Sequence, residues 1–248
     1  MKYIRSLNVI ICMTLFAIGG MIIGMVIIPV SGLFFKGSEK RNFCIKTVKT
    51  TWIWLIKLIS FFKIANFNYK GNFDEIEGKV VVASHHSLLD IVILLTALPK
   101  SVGFAKKDIL KNPCMHHIVK NLFIINDIDN SSMKEETRRA INEGFNIIIF
   151  PTGTRTLPNE EIKVHKGAAQ IAINTNVDVV PITIDCDYPF LIKNHSPLDL
   201  GEKTINCKIE IHKTIKISDY KTAFSDEIKL RKHLSDEIKK RINAEPVT

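Results

Sequence analysis

The chain reads as an α/β protein: a mixed, largely parallel sheet flanked by helices, with an N-terminal membrane-embedded helical element. Two observations carry this reading. From residue 66 onward, strand-like apolar runs alternate with helical patterns, the signature of a sheet with crossover helices. Before that, residues 6–35 hold no charged side chain and consist mostly of Ile, Leu, Met, Val, Phe and Gly.

Taken in order, the apolar leader comes first. Residues 7–35 as one straight helix would be about 43 Å long, against a hydrocarbon core of roughly 30 Å. Two arrangements fit: a tilted spanning helix, or a re-entrant hairpin breaking near Gly19-Gly20. Lys2 and Arg5 precede the run, and Lys36, Lys40 and Arg41 follow it, with Glu39 among them. That balance gives no clear positive-inside asymmetry and fits a hairpin with both ends cytosolic. The run is too long for a cleaved signal peptide, and no small-residue cleavage site follows it cleanly. Gly20-x-x-x-Gly24 suits close helix packing. Residues 44–64 form a second amphipathic element, with Lys46, Lys49, Lys57, Ser60 and Lys63 within an arc of about 120°. Trp52, Trp54, Leu55, Leu58, Ile59, Phe61 and Phe62 make up the rest, while Ile53 and Ile56 intrude on the polar arc. Such a helix suits an interface plane, or packs on the globular body. The division expected is residues 1–64 as a membrane-associated helical segment and 65–248 as an α/β domain.

In that domain, strands are expected near 66–70, 79–83, 101–105, 122–126, 146–150 and 178–184. Helices are expected near 87–97, 107–121, 132–144 and 165–175. An extended segment at 205–217 follows, then a charged helix near 222–243 that reads as a solvated, capping element.

The formal charge of +9 and pI near 9.3 imply an anionic partner, and the apolar leader favours an anionic membrane surface over nucleic acid. No aromatic-basic nucleic-acid motif is evident. Five cysteines (Cys12, Cys44, Cys114, Cys186, Cys207) are scattered without a Cys-x-x-Cys pair. A disulfide framework or zinc ribbon is therefore not expected, and a reduced, cytosol-facing domain is.

The chemistry concentrates in two segments. Ser84-His85-His86-Ser87-Leu88-Leu89-Asp90 sits between an apolar strand and an apolar helix, placing imidazole and carboxylate together. Along one continuous helix, His85 and Asp90 would lie about 140° apart and could not meet. His86 and Asp90, at i and i+4, would share a face. His85 qualifies as the partner only if it lies in the loop before the helix, with Ser87 near the N-cap. Phe150-Pro151-Thr152-Gly153-Thr154-Arg155-Thr156 follows another apolar strand, and offers a glycine turn and a guanidinium suited to a phosphate.

Ser84-His85-x-Ser87-x-x-Asp90 resembles the His-x4-Asp signature of the glycerolipid acyltransferases, which include the 1-acyl-glycerol-3-phosphate acyltransferases. Phe150-Pro151-Thr152-Gly153-Thr154-Arg155 is similar to their Phe-Pro-Glu-Gly-Thr-Arg block. Val179-Val180-Pro181-Ile182 is similar to the later apolar-Pro block, and Lys106-Lys107 with Pro113 to the lysine segment between. Order and spacing agree across residues 66–190. The resemblance implies a membrane-bound enzyme moving an acyl chain from a thioester, acyl-CoA or acyl carrier protein, to the hydroxyl of a lysophospholipid. It implies His85 as the base and Asp90 as its partner, with Arg155, Gly153, Thr154 and Lys106 binding substrate. It requires no metal and no resident cofactor. A cytoplasm-facing domain on a bacterial inner membrane is the location it suggests.

This sequence departs from the family at Thr152, where the family has glutamate, and at the acidic Asp127 and Asp129 beside the middle strand. The glycine expected after Pro113 is missing, with His116-His117 nearby. These departures leave room for a phosphate-free acceptor such as lyso-ornithine lipid, or for a non-catalytic lipid-binding scaffold. A metal hydrolase built on His85, His86, Asp90, His116, His117 and His165 lacks ligand spacing, since no His-x-x-x-His pair supports it.

Overall fold

The computed structural model describes residues 2–126, 130–156 and 164–243. Asp127 and Asp129 lie outside the described residues. Seven strands form one sheet in the order β1-β7-β6-β2-β5-β3-β4. They are β1 (Ala65–Lys70), β2 (Val80–Ala83), β3 (Ser101–Ala105), β4 (Phe123–Ile125), β5 (Asn146–Ile149), β6 (Val179–Cys186) and β7 (Ile205–Ile211). Every neighbouring pair is parallel except β6 with β7.

The sheet is central because its middle strands are apolar on both sides. In β2, Val81 and Ala83 pack against α3 (Gly37–Phe61), α4 (Leu89–Ala97) and α5 (Pro113–Leu122), with α1 (Lys2–Ile22) and α2 (Ile28–Ser31) beyond. Val80 and Val82 point the other way, into a core with α6 (Asn130–Asn142), α7 (Gly167–Thr175), α8 (Ile217–Ala223) and α9 (Glu227–Ile242). The expected charged helix is thus not a solvated cap. Leu230, Leu234, Ile238 and Ile242 of α9 recur every fourth residue and are buried, the last three in that core.

The leader runs through Gly19-Gly20 as helix, so the break considered there is absent. The irregularity falls later, in a π turn at Ile23–Ile27. There Gly24 meets α5 so closely that a Cβ would stand 1.9 Å from the Cys114 carbonyl oxygen. Near its start, α1 reaches the carbonyls of Leu200 and Leu198 through Arg5 and Ser6. The helix therefore lies along the domain, touching it at points about 27 Å apart along its axis. One stripe, including Val9, Cys12, Ile23 and Ile28, is buried, and the rest of its apolar surface is exposed.

Helix α3 also differs from its helical-wheel reading. Lys49 turns inward and donates to the carbonyls of Leu98 and Pro99, capping the end of α4. Ile53 and Ile56, which seemed to intrude, are half-buried on that same inward face. Trp54 and Phe61 point outward and are exposed.

The cysteine expectation is corrected for one pair. Cys186 and Cys207 stand opposite each other on the antiparallel strands β6 and β7, Cα to Cα 4.1 Å, and are joined by a disulfide. Ladder register makes the pair, and residues 21 apart give no spacing signal for it. Cys12, Cys44 and Cys114 are free.

Candidate active site

The site forms at the C-terminal ends of β2 and β5, which are hydrogen-bonded neighbours. From β2 the chain passes through α4 to β3, and from β5 through α7 to β6. The two crossovers lie on opposite faces of the sheet, and the loops that begin them meet at one edge.

Helix α4 starts late. Leu88 is its N-cap residue and has no side-chain capping bond. Ser87, one residue earlier, accepts from the Leu89 N–H at 3.1 Å and donates to the Phe190 carbonyl at 2.8 Å. His85 therefore lies in the loop, where it can reach back to Asp90. Its Nδ1 is 2.9 Å from Asp90 Oδ2. The same oxygen accepts the backbone N–H groups of His86 at 2.7 Å and Ser87 at 2.8 Å. Asp90 is only 1% exposed, so these three donors compensate its burial. The His86 imidazole, the i, i+4 alternative, does not meet Asp90. Its Nδ1 lies 3.2 Å from the Thr156 carbonyl oxygen.

With Nδ1 donating to a carboxylate, the His85 lone pair belongs to Nε2. The ring also stacks on Phe150, centroids 4.1 Å apart and planes 19° from parallel. The imidazole is thus fixed at an edge and on a face.

After β5 the chain turns at Gly153, whose φ of +67° is left-handed and favours glycine. Thr152 donates from its hydroxyl to the Thr154 carbonyl at 2.7 Å, closing the turn. Arg155 Nη1 donates to the Leu191 carbonyl at 3.1 Å, so a main-chain oxygen orients the guanidinium that the missing glutamate does not. Leu191 has φ +54°, a conformation that costs a non-glycine residue on the order of 1–2 kcal/mol. That carbonyl also accepts from Leu88 N at 3.2 Å. The loop after β6 is therefore fastened to both site segments, a contact no sequence pattern announced.

Lys106 lies at the end of β3, on the same edge of the sheet, with its side chain exposed. The structure brings His85 and Asp90 together and sets the Gly153–Arg155 turn next to them; it records no contact from Lys106 to either. Among the described residues, no three His, Cys, Asp or Glu side chains gather to hold a metal ion.

A family model described as Acyltransferase matches residues 66–185, the span that carries both loops. Over that span the chain is similar to the acyltransferase family. Similar acyltransferases include the 1-acyl-sn-glycerol-3-phosphate acyltransferase of Cocos nucifera, 28% identical over 175 residues, which are 57% of this chain and 56% of that one. The probable 1-acyl-sn-glycerol-3-phosphate acyltransferase of Mycoplasma pneumoniae is 32% identical over 116 residues, 42% of this chain and 43% of its own. The chain spans about half the length of these curated relatives, 56% and 43%. The crystal structure of the 1-acyl-sn-glycerophosphate (LPA) acyltransferase PlsC from Thermotoga maritima aligns over 100% of this chain and 98% of that one. Its TM-score is 0.69 at 20% identity, a likeness of fold.

Proposed function

We propose that this protein moves a fatty acyl chain from a thioester to the free hydroxyl of a lysophospholipid, 1-acyl-sn-glycerol-3-phosphate, giving phosphatidic acid. The observation that carries the reading is the His85 Nδ1 to Asp90 Oδ2 contact of 2.9 Å, beside the turn that holds Arg155. His85 Nε2 removes the hydroxyl proton, and the oxygen attacks the thioester carbonyl. The new C–O bond forms, the C–S bond breaks, and the imidazolium returns its proton to the leaving thiolate. Asp90 holds the ring in the right tautomer and stabilises the imidazolium. A thioester is already activated, so positioning and proton removal suffice, with no covalent intermediate and no resident cofactor. Arg155 grips the acceptor phosphate with the donors not spent on Leu191, the Gly153–Thr154 turn shapes the approach to it, and Lys106 assists from the rim. The donor is acyl-CoA or acyl carrier protein.

A second reading has one observation in its favour. The Arg155 guanidinium is already engaged by the Leu191 carbonyl, which suits an acceptor without a phosphate, such as lyso-ornithine lipid.

For location, we read residues 1–64 as the membrane-associated part and 65–248 as the transferase. The continuous helical run from Tyr3 to Ser31, through α1, the π turn and α2, is 29 residues and apolar enough to cross a bilayer. Its contacts with the domain at both ends support a helix laid into one interface, with Leu33, Phe34, Trp54 and Phe61 dipping beside it. The cytoplasmic face of a bacterial inner membrane is our reading from the family resemblance and not from the cysteines, two of which are paired.

The test gives the protein in vesicles labelled acyl-CoA or acyl carrier protein and a panel of lysolipids. Lysophosphatidate is the expected acceptor, and Arg155→Ala raises its KM about tenfold or more. Turnover of phosphate-free acceptors alone, indifferent to Arg155→Ala, selects the second reading. No transfer to any acceptor removes both.

A further inference from the structure

We propose that Thr156, with His86 behind it, is a positioning residue that locks the His85 main chain to the Arg155 loop. It thereby sets the distance between proton acceptor and phosphate grip. The inference rests on His85 being the base and Arg155 the phosphate ligand.

Thr156 directly follows Arg155 and is buried. It holds one oxygen twice: its N–H donates to the His85 carbonyl at 2.9 Å, and its hydroxyl donates to the same carbonyl at 3.1 Å. A carbonyl has two lone pairs, and both are used here. Because the hydroxyl proton goes to His85, the lone pairs of Thr156 Oγ1 are left to accept. His86 Nδ1 lies 3.1 Å from that oxygen and 3.2 Å from the Thr156 carbonyl, positioned to donate to both. The donors and acceptors close into one consistent circuit.

Among the described residues, every hydrogen bond between residues 84–90 and 150–156 passes through Thr156. The stacking of Phe150 on His85 is non-directional along the ring plane, so it cannot fix the register of the two loops. Asp90 fixes the His85 ring from one side, and Thr156 fixes its backbone from the other. Reacting groups must be held to a fraction of an ångström, and misplacement by about 1 Å costs on the order of a hundredfold.

The experiment compares wild type, Thr156→Val, Thr156→Ser and His86→Ala by steady-state transfer from acyl-CoA to lysophosphatidate. His85→Ala is the control, and melting temperatures are recorded for all. Thr156→Val keeps shape and the backbone N–H but loses the hydroxyl, so kcat falls about tenfold with the donor KM within about twofold. Thr156→Ser restores kcat to within about threefold. His86→Ala lowers kcat similarly, and the double variant with Thr156→Val is no worse than the poorer single, because both break one network. The position of the pH–rate limb does not move, since Asp90 still holds the ring. Full kcat in Thr156→Val and His86→Ala, beside an inactive His85→Ala, overturns this proposal alone. So does a Thr156→Ser as impaired as Thr156→Val with both melting early, which marks a packing role. A His85→Ala that still turns over overturns the base assignment instead.

Discussion

Replacing Asp90 by Asn separates what its charge does from what its oxygen does. Three donors converge on Asp90 Oδ2: His85 Nδ1, His86 N and Ser87 N, at 2.9, 2.7 and 2.8 Å. An asparagine carbonyl in the same place accepts all three, so the turn before α4 survives. What is lost is the negative charge beside a ring that becomes cationic during the reaction. Exchanging a charge-assisted for a neutral hydrogen bond costs about 1.4 kcal/mol. The full attraction between unit charges about 4 Å apart at an effective dielectric near 20 is about 4 kcal/mol. These bounds give a kcat loss of about tenfold to a thousandfold. Asp90→Ala instead orphans three donors, two of them backbone N–H groups, at about 1–3 kcal/mol each. At this chain length that lowers Tm by about 6 °C or more. Thiol release from acyl-CoA in the presence of lysophosphatidate measures kcat, and circular dichroism follows the melt. If Asp90→Asn turns over within about threefold of wild type, or melts as early as Asp90→Ala, the separation of roles is wrong.

Two further outcomes follow from the packing and charge. Gly24→Ala places a Cβ 1.9 Å from the Cys114 carbonyl oxygen, so the π turn shifts off α5 at a cost of about 1–3 kcal/mol, while Gly20→Ala, in a helix with open space around it, stabilises by about 0.4–1 kcal/mol and raises Tm slightly. Thermal melts of the two variants in detergent check this. Burial holds His212 below the usual imidazole range, aided by Arg241 and Lys208 and opposed by Glu210. Folded His212 is therefore neutral where the unfolded chain takes up a proton, so stability is lost as pH falls through the ordinary value of about 6.5 and is flat above it. His117, lowered by burial beside His116, Lys40 and Lys120, acts with the same sign. Urea midpoints between about pH 5.5 and about pH 7.5 are expected to fall on acidification, and less so in His212→Gln.

The strands were legible because β2, β5 and β6 are apolar on both faces, and short runs such as Val80–Ala83 between polar turns leave few alternatives. The extra turn at the end of the sheet, α8, and the buried stripe of α9 were not, because many Lys and Glu conceal Leu230, Leu234, Ile238 and Ile242. The site segments were visible as motifs, yet the pairing of His85 over His86 depended on where α4 begins. Helical periodicity fixes a helix face but not its first residue. Nothing local predicts that Phe190 and Leu191 offer their carbonyls to Ser87 and Arg155, since these contacts join residues 103 and 36 apart. The Cys186–Cys207 pair was hidden for the same reason: strand register, not spacing, creates it.

The most direct measurement is formation of labelled phosphatidate from lysophosphatidate and acyl thioester by wild type and His85→Ala, matched by melting temperature. Product is expected from the wild type, with a drop of about a thousandfold or more in the variant, which binds both lipids as before. Product from His85→Ala at a rate near wild type would contradict the base assignment, whatever the acceptor.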